Sequence, residues 1–359
     1  MAKCFVGAFV LVLVTAGTGV AQDHTIVALS HRDFTVYELD PVSGKTLNSL
    51  KAVNQPHEGA ITPDGGTMFV SVPSAGHVLV IDGDTFKERA RIETELFRRS
   101  PQPRPAAQDG RPRPPNTSAS PHAVALTADG SKLYIGVENA DVPGLVVYDV
   151  KSGKVTKKID LLLTGGHYFD IQPATGKLYY PHREDNRVVV VDTKTDKVVR
   201  IIPVKGGPRG VDFAPNGEVW LHQDNDGTVA VVDSRTDEVI KVIQTEGKGI
   251  GRVAVSPDGR FAVSTHQETR DVAIIDAERK EVVTNIRVGL TPGPSTAPLR
   301  NLFPLFSPDS SKLYVMNPPD GDVVVIDTKA WKIVARHKVG VTPFGGGVRL
   351  LGRRSTSEN

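Results

Sequence analysis

The chain is nearly devoid of cysteine: its one thiol, Cys4, sits within the first few residues. Beyond that point there is no thiol for a disulfide, a thiolate metal site, a cysteine nucleophile or covalent haem attachment. A chain of 359 residues can bury enough apolar surface without such staples. Long apolar runs are also scarce. The longest, Phe5 to Val14, is too short to span a bilayer as a permanent anchor. Neither sign of charge dominates, with 43 basic against 41 acidic residues and a net charge of +2. Setting aside Lys3 and a segment rich in arginine (Arg98, Arg99, Arg104, Arg111 and Arg113 against Asp109), the body carries about −3. No basic face for a phosphate backbone is expected, so nucleic-acid binding is disfavoured.

The amino-terminal residues have the grammar of a secretory signal. Lys3 is followed by the apolar stretch FVGAFVLVLV and then by TAGTGVAQ, with Gly19 and Ala21 at the −3 and −1 positions of a cleavage site. Cleavage is expected after Ala21, giving a signal at 1–21 and a periplasmic or secreted protein with no transmembrane span. Cys4 precedes the apolar core, which does not suit lipid attachment.

Two in-phase markers recur along the rest. One reads apolar–apolar–Asp before a short polar turn, at Asp40, Asp82, Asp149, Asp192, Asp233, Asp276 and Asp327. Their spacings are 42, 67, 43, 41, 43 and 51, and the two long ones contain Pro-rich insertions. The other is a Pro-Asp-Gly-like turn between two β-rich runs, as in ITPDGGTMFVSV, LTADGSKLYIGV, VSPDGRFAVSTH and FSPDSSKLYVMN. Proline presets φ, Asp accepts hydrogen bonds from the turn, and Gly takes positive φ. Each period of about 42 residues therefore holds four short antiparallel strands, the pattern of a propeller blade. Seven aspartate markers stand against six turn markers. The chain begins at TIVALSHRDF, already a second strand, and ends on VTPFGGGVRLL, which matches an innermost strand. The all-β fold expected is a seven-bladed β-propeller over 22–352, closed when the C-terminal strand completes the N-terminal blade. A flexible tail is expected at 353–359.

The SPDGRFAVSTH…VAIID and SPDSSKLYVMN…VVVID segments resemble the YVTN-type repeats of exported bacterial seven-bladed propellers, the YncE-like group. The resemblance runs from about Thr25 to Leu351. No copy carries a full Tyr-Val-Thr-Asn; Tyr314-Val315-Met316-Asn317 is nearest. The resemblance implies the fold and leaves the function open.

Candidate site residues come from counting back from each turn to the start of each innermost strand. This places His57, His122, His167 and Arg209 at one equivalent position in four consecutive blades, with Arg252 and Arg300 near it in later ones and Phe344 on the closing strand. Strand starts and blade connections share one rim, where rigid strands hold variable loops. Three readings are open for this mouth. His57, His122 and His167 could hold a divalent metal with Glu58 nearby, the histidines and arginines could bind a small anion, or they could line a wet channel. A second set, His31, His182, His222 and His266, ends the second strands, where solvated loop histidines are expected. Glu138, Glu184, Asp185 and Glu268 lie on the same loops. The marker aspartates are read as turn formers, and Gly345-Gly346-Gly347 as room for close packing.

The insertion at about 96–119 is Pro- and Arg-rich and is expected to be disordered or extended. A shorter one spans 290–299. The function expected is that of a monomeric binding scaffold for a protein partner or small anionic ligand, with no catalytic residues. The alternatives are a metal-dependent propeller enzyme resembling lactonases or streptogramin lyases, or a propeller associated non-covalently with haem and electron transfer.

Overall fold

A computed structural model describes residues 23–102, 116–118, 120–138, 141, 143–161, 167–290 and 302–351. Seven four-stranded antiparallel sheets form a ring, and the chain is a seven-bladed β-propeller. Blade 1 joins the two ends of the chain. Its strands His24–Ser30, Thr35–Leu39 and Thr46–Lys51 are completed by Pro343–Leu350, which pairs with His24–Ser30. No helix among the described residues is long and apolar enough to cross a membrane.

The burial pattern explains why the middle strands read as unbroken apolar runs. Tyr179, Tyr180 and Val188 to Val191 are all buried, because both faces of each blade are covered by neighbours. The fourth strand of each blade is the outer edge. Lys197–Pro203 and Glu238–Ile243 are mostly exposed there and intersperse Lys, Arg and Glu among β-branched residues, which discourages edge-to-edge pairing.

Each third-to-fourth hairpin is built alike. The marker aspartate accepts a backbone N–H from the turn, at 2.7 Å from Ser43, 2.8 Å from Thr85 and 2.9 Å from Lys194. A register shift follows in every blade, as between Val190 and Val191 or Ile274 and Ile275. The turn ends on a positive-φ residue: Gly44, Phe86, Gly153, Asp196, Asp237, Lys280 or Trp331.

That last position also clasps the preceding blade. Asp196 accepts the Tyr134 hydroxyl and pairs with Lys132 at 3.0 Å. Asp237 repeats this with Tyr179 and Lys177, both at 2.9 Å. One blade on, the signs reverse and Lys280 pairs with Glu218 at 2.7 Å. The next clasp is apolar, with Trp331 edge-on to Phe261.

The glycine triplet has the role read from the sequence. A Cβ on Gly345 would lie 2.5 Å from the His57 carbonyl oxygen, and one on Gly346 would lie 2.2 Å from that of Val27. Arg349 secures the closing strand through Glu38 at 2.8 Å and the Gly65 carbonyl at 2.8 Å. Glu38 also accepts from Thr25 and Asn48.

The flanks of the long insertion hold more order than a wholly disordered or extended segment would. Glu95–Phe97 forms a 3-10 turn, Phe97 is buried, and Arg98–Gln102 pairs with Asn116–Ser118. Phe97 packs with Phe69 and Val137, an apolar anchor at the boundary of the polar stretch. Residues 103–115, the insertion near 291–301 and the tail lie outside the described residues, as does the amino-terminal segment.

Candidate functional site at the channel mouth

The innermost strands Gly59–Ile61, Pro121–Leu126, Asp170–Ile171, Pro208–Phe213 and Val253–Val255 converge on the ring axis. His57, His122, His167, Arg209 and Arg252 lie at or beside their starts, so one rim gathers them. The imidazoles of His57 and His122 are 4.0 Å apart between ring centres, and those of His122 and His167 are 4.2 Å apart. His31 extends the row, 5.0 Å from His57 and stacked at 4.1 Å on Phe344. Arg300 lies outside the described residues.

The carboxylate at the centre of this row is Glu138, which follows the second strand of blade 3. The nearby carboxylate expected from the sequence was Glu58. Glu138 Oε1 lies 2.9 Å from His167 Nδ1 and 3.5 Å from His122 Nδ1. The ligand atoms of His122, Glu138 and His167 all fall within 4.8 Å of one another. His57 stands beside this trio, its Nδ1 3.5 Å from Glu58 Oε1. His57 Nδ1 and His122 Nδ1 are buried and make no hydrogen bond within the chain.

Across the mouth the arginines are engaged. Arg252 reaches from blade 6 to Glu58 in blade 2, closing an ion pair over the axis. Its guanidinium lies 3.4 Å from the Tyr168 ring centre and 4.2 Å from that of Phe303. Arg209 pairs with Asp224 at 3.1 Å, and Arg183 reaches both Asp224 and Glu184. Beneath this layer is a chamber of about 410 Å³ whose lining includes Tyr168, Asp170, Asp212, Arg252 and Phe303.

Burial sets the protonation of the mouth. It holds the His57, His122 and His167 imidazoles well below their ordinary value, and the neighbouring arginines push in the same direction. All three are therefore neutral at neutral pH, each with one unprotonated ring nitrogen. Burial also pushes Glu138 up to about 8. Among the described residues, Glu58, Glu184 and Asp224 each make an ion pair with an arginine and Glu138 does not.

The second histidine set is not solvated. His31, His182, His222 and His266 are all at most 2% exposed. They end strands sandwiched between blades, where the loop above covers the ring. His222 accepts or donates at Ser264 Oγ (2.8 Å), and His266 binds Thr245 and Asp271. Glu268 is exposed, and it is not among the residues whose ligand atoms cluster at the mouth.

The class these features define is a seven-bladed propeller with a polar mouth on one face. No family model matches the chain, and no curated protein matches it. Among solved structures it resembles a functionally unknown protein from Desulfotomaculum acetoxidans, at 15% identity over 91% of this chain and 98% of that one, with a TM-score of 0.70. It also resembles hydrazine synthase of Kuenenia stuttgartiensis (20% identity, 81% and 89% covered, TM-score 0.66). Apo AztD from Citrobacter koseri is similar at 18% identity, 91% and 98% coverage and a TM-score of 0.63. At these identities the likeness speaks for the fold.

Proposed function

We propose that the chain is an exported binding protein of the YVTN-repeat type, whose small ligand enters the histidine-side mouth and is a cation or electron-pair acceptor. The observation that carries this reading is Glu138. Its carboxyl group is 19% exposed, set between two neutral imidazoles, and among the described residues makes no ion pair with an arginine or lysine. Burial favours the protonated form of this group at neutral pH, and an incoming positive centre would take the proton's place and stabilise the ionised carboxylate. The anionic ligand expected from the arginines is less well supported, since Arg209 and Arg252 already hold Asp224 and Glu58.

A thermal-shift panel on the chelator-treated protein tests this, with divalent metals and methylated amines on one side and sulfate, phosphate and citrate on the other. Stabilisation by members of the first group, abolished by Glu138→Gln, is expected. Stabilisation by anions alone would overturn the reading. The export component rests on Lys3, the Phe5–Val14 stretch and the small residues up to Ala21. Amino-terminal sequencing of the mature protein checks it, and a chain starting at Gln22 is expected.

A further inference from the structure

We infer that the ligand of this mouth is a single divalent transition-metal ion, bound by His122 Nδ1, His167 Nδ1 and a Glu138 carboxylate oxygen. This rests on the reading of the mouth as a cation site and names the cation. Three observations carry it independently of the charge argument. The first is spacing. Ligands about 2.0–2.2 Å from a tetrahedral metal are separated by about 3.3 Å, and Glu138 Oε1 stands 2.9 and 3.5 Å from the two Nδ1 atoms. The second is vacancy of the lone pair. His122 is 6% exposed and its Nδ1 makes no hydrogen bond, although a buried imidazole nitrogen ordinarily finds a partner. The third is position. His122 lies within an innermost strand, Glu138 directly follows the adjacent second strand with its N–H on the Ser120 carbonyl at 3.2 Å, and His167 stands three residues before the first strand of the next blade, so the fold brings the three together before any ion arrives.

Two imidazoles and one carboxylate select zinc, copper or nickel over calcium and magnesium, which take oxygen ligands. Three protein ligands leave a coordination position for water or for a small molecule carried with the metal. His57, whose ring is 4.0 Å from that of His122 and 6.4 Å from that of His167, is the nearest further imidazole. It would serve as a fourth ligand or as a way station at the rim. With no thiol beyond Cys4, thiolate binding does not compete.

The test is titration of the chelator-treated mature protein with Zn²⁺ by calorimetry and with Co²⁺ by visible absorption. One equivalent should bind, with Co²⁺ giving the intense d–d bands of a low-coordinate nitrogen–oxygen site, bleached on adding Zn²⁺. Glu138→Gln and His167→Gln should each weaken binding by about 100-fold or more, while Glu268→Gln, on an exposed loop, should leave it unchanged. Glu138→Gln is nearly isosteric and keeps the protein folded if His122→Ala does not. No heat and no Co²⁺ spectrum, or binding indifferent to both mouth variants, overturns the assignment. If metals fail but methylated amines stabilise the protein through Glu138, only the metal assignment falls. If anions alone stabilise it, the cation reading falls as well.

Discussion

Replacing Arg252 with Met removes the positive half of the pair that crosses the channel. The methionine retains apolar volume against Phe303 but leaves Glu58 buried and uncompensated. Both side chains are about a tenth exposed, so solvent screens the pair little. Breaking one side of such a pair costs about 3–5 kcal/mol. The guanidinium also lies on two aromatic rings, and losing these adds about 1 kcal/mol. Arg252→Met should thus lose about 4–6 kcal/mol. Glu58→Gln leaves the guanidinium on its rings with a neutral acceptor and should lose about 2 kcal/mol. The double variant should lose only about 2–3 kcal/mol, well short of the sum of the singles, because the stranded charge is gone. Urea unfolding followed by the fluorescence of Trp220 and Trp331 measures all four corners at constant slope. Additivity within about 0.5 kcal/mol would refute the pairing across the axis.

Other consequences concern the clasps, the channel carboxyls and the closure. Asp237→Ala strands the buried Tyr179 hydroxyl, loses the Lys177 pair and puts a Cβ residue without side-chain hydrogen bonding at φ 56°. It should cost about 3 kcal/mol, against about 1 kcal/mol for Asp237→Asn, and equal losses by chemical denaturation would contradict the clasp. Burial pushes Asp212 up to about 7 and Asp170 up to about 6. Both prefer the protonated form when folded, so their contribution is fully present below the ordinary 3.8 and is lost as pH rises through 6–7. The melting temperature should fall across that window and fall less in Asp212→Asn; parallel profiles would exclude Asp212 as the cause. Asp212 also accepts the Val255 and Phe213 N–H groups, so the variant should start less stable at acidic pH. Arg349→Ala unseats Glu38 and should cost about 3 kcal/mol; a loss under 1 kcal/mol by urea unfolding would show that the closing strand holds without it.

The ring could be read from the sequence because its determinants are local. An aspartate that accepts its own turn's N–H groups, or a glycine at positive φ, acts within four residues, and such signals repeat visibly. The mouth was partly legible for the same reason, since equivalent strand starts meet at the axis in any propeller. What could not be read is set between blades. Glu58 and Arg252 are 194 residues apart, and no spacing rule joins them. Glu138 sits among loop acids of similar appearance, and only the path of the second strand of blade 3 carries it back between His122 and His167. The buried histidines look solvated in sequence because polar neighbours such as Arg183 and Glu184 reach solvent while His182 turns inward between sheets.

The shared first blade has a consequence for how the molecule comes into being. Strands His24–Ser30 and Pro343–Leu350 are the first and last of the ring; His24–Ser30 has Thr35–Leu39 beside it early, but its other edge and the closing strand meet only when the whole intervening chain exists. During synthesis the growing chain can pair strands within six blades but cannot close the circle. The mouth is different: His122, Glu138 and His167 belong to blades 3 and 4 and are complete long before Arg349 emerges. A metal or other ligand could therefore meet its three ligands on an open arc, before the final strand closes the ring.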